Sequence, residues 1–218
     1  MDKVTAKRTF DLIDERGAVV DQVVVSLGCP EREPGENTWV CPYRVVGLGE
    51  DRTYRGAIGV HGLQAMFGVI VVIGGALQGT DEFQAGRLRW KGSAYYRSAF
   101  LRVHLAPDEG VGPELGEPIV ADVVEEVSVS GEIVRMETTL GHARQAPSGI
   151  WFCPYRVVGP GLDCLSWVSG FDSMHAVQSA LLMTHGLGGY ASEVFRRHKM
   201  FSGSDLLGFP MIPDQGPF

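Results

Sequence analysis

The chain has 218 residues, 44% of them apolar and 21% charged, with a formal net charge of −7. That length builds one large domain or two small ones, and that balance excludes a disordered chain. The negative charge argues against wholesale binding to nucleic acid or to an anionic membrane, although it leaves room for a local basic patch.

The opening stretch "MDKVTAKRTFDLIDERG" is charged every few residues and is not a secretory leader, so the expected location is the cytoplasm. "RTFDLID" and "AVVDQVVVSL" then read as the strands of a β-hairpin, followed by the polar turn "EREPGENT". Next comes "TWVCPYRVVG", Thr38 to Gly47, a strand that leads through the turn "GLGEDRT" into the short strand "YRGAIG". Alternation places Trp39, Cys41, Tyr43 and Val45 on one face, bulky and core-facing, with Val40, Pro42, Arg44 and Val46 on the other. Pro42 donates no ladder hydrogen bond, which predicts an edge strand or a bulge.

"AMFGVIVVIGGAL", Ala65 to Leu77, is the longest apolar run and is too short to span a bilayer. Its "VIVVI" core favours a strand, yet its counterpart in the second half settles it as a helix, with Leu63, Met66, Phe67, Ile70 and Leu77 inward. From Phe83 to Pro107 the chain holds no acid. Arg87, Arg89, Lys91, Arg97 and Arg102 alternate there with Trp90, Tyr95, Tyr96 and Phe100. This reads first as a face that docks on the acidic second half of the chain. An acidic partner, or nucleic acid, is the alternative.

The Gly- and Pro-rich segment "APDEGVGPELGEP", residues 106–118, reads as a linker. Beyond it the same grammar returns. A hairpin, "VEEVSVSGEIVRMETTL", precedes the turn "RQAPSG" and the strand "IWFCPYRVVG", Ile150 to Gly159. After "GPGLD" and "CLSWVSG" comes "SMHAVQSALLMTHGL", with Met174, Val177 and Leu181 on one stripe and Ala176, Ala180, Met183 and Leu187 beside it. Asp172 or Ser173 is placed to accept the free amides of its first turn. The predicted fold is α+β, with residues 1–105 and 119–218 forming two similar domains. Each is an antiparallel sheet on one main helix, and a pseudo-two-fold relates them.

The twice-written W-x-C-P-Y-R-V-V-G, followed by G-x-D-x-x-Q-A at the helix start and finally G-F-P, resembles a bacterial family of domains of unknown function. The second copy keeps Trp151, Cys153, Pro154, Tyr155, Arg156, Gly159, Gly170, Asp172 and Ala176, with "LGFP" at Leu207 to Pro210. It carries His175 at the Gln position. The first keeps Trp39 to Gly47, Gly59, Gln64 and Ala65, has His61 at the Asp position, and lacks G-F-P. The resemblance implies a fold unit and no reaction.

Little in the sequence points to chemistry. Cys29, Cys41, Cys153 and Cys164 form no C-x-x-C pair or zinc-like cluster and read as reduced, mostly buried thiols. A thiol nucleophile would need Cys41 near His61 or Cys153 near His175. Those histidines stand three places apart in the repeat alignment, as a duplicated dyad would not. Neither phosphate-binding glycine motif occurs. No catalytic residue, metal or cofactor is implied.

Arg44 and Arg156, each on a strand face among valines, require a carboxylate, a ring of backbone carbonyls or an anionic ligand. The expectation is a non-enzymatic binding or regulatory protein whose partner is another protein, with Arg44, Arg156, Tyr43, Tyr155, Trp90 and Arg97 as candidate contacts. The alternative is a small-molecule-binding protein or enzyme with an anion-binding pocket between the repeats. Nucleic acid ranks third.

Overall fold

The computed structural model describes residues 3–90, 114–127 and 131–191. In the first repeat β1 (Val4–Ile13) and β2 (Val19–Gly28) form the hairpin, and β3 (Glu31–Arg32), β4 (Trp39–Val46) and β5 (Arg52–Gly59) follow. Helix α1 (Gly62–Gln78) comes next, then the single-turn α2 (Asp81–Gln84) and β6 (Leu88–Arg89). The second repeat runs β7 (Pro118–Val127), β8 (Ile133–Gly141), β9 (Arg144–Gln145), β10 (Trp151–Gly159), β11 (Leu162–Gly170) and α3 (Ser173–Ala191). All recorded strand pairings are antiparallel. The first sheet has the order β3-β4-β2-β1-β6 with β5 on the other side of β4. The second has β11-β10-β8-β7, with β9 also on β10. Two antiparallel sheets, each packed on one helix, make this an α+β fold.

The expected core faces form. Cys41 and Tyr43 are buried, Trp39 and Val45 pack against them, and Arg44 points outward. Leu63, Met66, Phe67, Ile70 and Leu77 line the buried side of α1, while Met174, Ala176, Val177, Ala180 and Leu181 are buried along α3. Of the two alternatives for Pro42, the edge fails, because β4 is an interior strand, and the bulge holds. The β2 ladder on β4 ends at Tyr43 and the β3 ladder begins at Val40, so Pro42 sits in the gap between them. On the opposite side the β4–β5 register slips between Cys41 and Tyr43, where Gly56 takes a φ of 90°. Pro154 occupies the matching gap between β8 and β9, with its β11 register unbroken. A missing amide hydrogen is tolerated inside a sheet where the partner strand is itself interrupted.

The two repeats share one core. Helix α1 lies on β4 and β5 of its own sheet and also touches β7 of the other repeat. Helix α3 lies on β10 and β11 and also touches β1. Buried Phe10, Leu27 and Met66 belong to the same apolar cluster as Val120, Leu140, Met174 and Leu181. Each helix is therefore held between its own sheet and the first strand of the other repeat. This crossing brings polar residues of the two repeats together.

Candidate functional site

The register fixes which residues correspond between repeats. In the first hairpin Gly28 faces Val4 and Val25 faces Arg8. In the second, Gly141 faces Pro118 and Thr138 faces Asp122. Both hairpins slip at the same place, between Val4 and Ala6 and between Pro118 and Val120. Arg8 and Asp122 thus hold one structural position. Trp39 faces Gly59 and Trp151 faces Gly170, which makes His61 the counterpart of Asp172, Gly62 of Ser173 and Gln64 of His175.

These positions meet across the junction. Arg8 is 1% exposed. Its Nε donates to Asp172 Oδ2 at 2.8 Å, and its Nη2 reaches Asp172 Oδ1 at 3.2 Å and Gln178 Oε1 at 3.3 Å. Asp172 also accepts from Trp90 Nε1 at 3.0 Å, and the guanidinium carbon lies 4.6 Å from the centre of the Trp90 ring. Asp172 caps α3 by accepting the His175 amide at 2.6 Å. Ser173 bridges to the other repeat instead, accepting from the Lys7 amide at 2.8 Å and donating to its carbonyl at 3.1 Å.

At the other end the polarity is reversed. Asp122 is 6% exposed and accepts the first amides of α1, Gly62 N at 3.2 Å and Leu63 N at 2.6 Å. His61 Nδ1 lies 3.2 Å from Asp122 Oδ2 and 3.2 Å from the Gln64 amide. Each helix start therefore has one carboxylate, from its own cap in α3 and from the opposite repeat in α1. Gln64 and His175 play the same part despite their different chemistry. Gln64 Oε1 accepts from Val60 N at 2.7 Å, and His175 Nδ1 accepts from Phe171 N at 3.4 Å, each reaching back over the helix start.

The signature residues are placed as follows. Arg156 grips Asp163 with two bonds, Nε at 2.9 Å and Nη2 at 2.8 Å, which holds the arginine's pKa up and the carboxyl's down. Arg44 lies 3.6 Å from Asp51, the corresponding acid, and all four side chains are about half exposed. Each arginine faces the carboxylate of its own hairpin. Tyr43 and Tyr155 are buried, and burial pushes both phenols up. Tyr43 stacks on Tyr54 with ring centres 4.7 Å apart. Among the candidate contacts that lie in the described residues, Trp90 alone is placed in the junction cluster. Arg97, with Lys91 and residues 95–113, lies outside the described residues, as does most of the expected linker; β7 begins at Pro118.

Cys41 and Cys153 each donate to a carbonyl at 3.5 Å, of Gly28 and Gly141 respectively, and burial raises both thiols well above the ordinary range. Neither is set up as a thiolate nucleophile. Among the described residues no group of three or more His, Cys, Asp or Glu could hold a metal ion. No described helix is long and apolar enough to cross a membrane.

Arg8 and Asp122 are not among the candidates that the sequence nominates. A signal existed: Arg8 falls in phase with buried Ala6 and Phe10 along β1, and Asp122 follows buried Val120 along β7.

No curated protein and no solved structure matches the chain. A family described as a domain of unknown function (DUF6968) matches it twice, over residues 6–100 and 127–211. The chain belongs to that family and carries its domain in tandem, the second copy locked to the first across the junction just described.

Proposed function

We propose that this chain is a non-enzymatic cytoplasmic binding or regulatory protein whose partner is another protein. The observation that carries this reading is the use made of the polar groups. Arg8, Asp122 and Asp172 each hold a backbone amide or an opposite charge across the junction, and Arg156 is held within its own hairpin. These contacts hold helix starts and pair charges; none sets a nucleophile beside a base.

The outward features suited to a protein partner are aliphatic. Val19 and Val20, at the tip of the first hairpin, are 59% and 58% exposed, and Ile133, at the tip of the second, is 71% exposed. Corresponding tips with bare aliphatic side chains suit recognition by a protein surface. An anion-binding pocket between the repeats has less support, since the buried guanidinium there already has a carboxylate.

A thermal-shift screen against nucleotides and organic acids tests the choice. The proposal expects no specific shift, and a stabilisation of several degrees by one compound would favour the small-molecule reading. A protein partner, once captured, should be lost from Val20→Glu with Ile133→Glu at unchanged melting temperature. Retained binding would remove the hairpin tips from the interface.

A further inference from the structure

We propose that the junction is a charge and size code that fits each repeat to the other and bars it from its own kind. The code has two positions per repeat, one on the first strand and one at the helix cap. The first repeat reads Arg8 and His61, and the second reads Asp122 and Asp172. Crossed pairing sets Arg8 against Asp172 at 2.8 Å and Asp122 against His61 at 3.2 Å, with one carboxylate at each helix start.

Pairing like with like breaks both ends. Two first repeats would bring Arg8 to a His61 cap, with a buried guanidinium and no carboxylate at either helix start. Two second repeats would bring Asp122 to Asp172, two carboxylates on one set of amides with no cation between them. Size repeats the message independently. A Cβ on Gly62 would lie 2.5 Å from Val120 Cγ2, so Val120 passes where only a glycine fits. In the second repeat that position is Ser173, whose hydroxyl instead uses the room beside Lys7. A second repeat meeting its like would drive Val120 onto Ser173. The structure thus assigns this surface one partner, the opposite repeat. In any dimer formed by exchange between chains, a first repeat would always sit on a second.

Three full-length chains test the code. Arg8→Asp with His61→Asp makes all four positions acidic, and Asp122→Arg with Asp172→His makes all four basic. The four substitutions together reverse the polarity and restore complementarity. Each double variant should melt about 10 °C or more below the parent. The fourfold chain should recover at least half of that loss and run at the parent's size on gel filtration. A fourfold chain that melts at or below the worse double variant would overturn the proposal, since independent damage accumulates in that way.

Should a double variant fail to fold, the neutral set Arg8→Gln, Asp172→Asn and both together reads the same coupling. The combined variant should melt within about 3 °C of the worse single. A shift equal to the sum of the two singles overturns the code.

Discussion

The two ends of the junction solve one problem in opposite ways. At α3 the carboxylate is local, Asp172 on the helix cap, and the charge from the other repeat is Arg8. At α1 the carboxylate comes from the other repeat, Asp122, and the local cap is His61. A helix start requires negative charge near its free amides, but not from its own segment. Each end has its own pair of positions, and the two pairs differ while each is matched within itself.

The comparison predicts unequal sensitivity. Arg8→Met leaves the Asp172 carboxylate in the junction without its cation and should cost about 3–5 kcal/mol in denaturant unfolding. His61→Ala leaves Asp122 with both α1 amides, so its cost should be about 1 kcal/mol. Equal losses at the two ends would break the contrast.

Gly62→Ala comes next. Its Cβ meets Val120, and overpacking of that kind costs about 1–3 kcal/mol. Ser173→Ala removes two bonds to the Lys7 backbone, with an expected loss of about 1 kcal/mol.

Where the repeats are alike, they should respond alike. Burial raises the Cys41 and Cys153 thiols in the folded chain, so the neutral thiols stabilise it below the unfolded thiol pKa. That contribution should drain away as pH rises past about 8.5, by about 1 kcal/mol per thiol near pH 9.5. Stability curves from pH 7 to 10 for the parent and for Cys41→Ala with Cys153→Ala check this, the variant showing the flatter curve. The smallest effect belongs to Arg44→Ala and Arg156→Ala. Their ion pairs are exposed, and each variant should melt within about 2 °C of the parent.

How much was legible in the sequence follows the range of the interactions. Strand alternation found the Cys41 and Tyr43 core face, and helical spacing found the buried stripe of α3, because both patterns are local. Comparison of the copies made α1 a helix against the strand propensity of "VIVVI". Arg44 and Arg156 stood out as charged residues between valines, and their partners lie just across the next turn. Arg8 and Asp172 stand 164 residues apart, and no local pattern joins them. His61 stands where the second repeat has Asp172, and its role depends on Asp122 arriving from the other repeat. Pro42 announced an irregularity in its strand, and the bulge is there, but the interruption between β2 and β3 beside it leaves no mark within "WVCPYRVV".

The repeats share one core and are joined through reciprocal contacts, which makes them one folding unit. Native-state hydrogen exchange on the α1 and α3 amides, in the parent and in Asp172→Asn, tests it most directly. One shared core predicts that the most protected amides of both helices exchange with the same free energy, and that the substitution lowers both by the same amount. A loss confined to α3, with α1 unchanged, would contradict it.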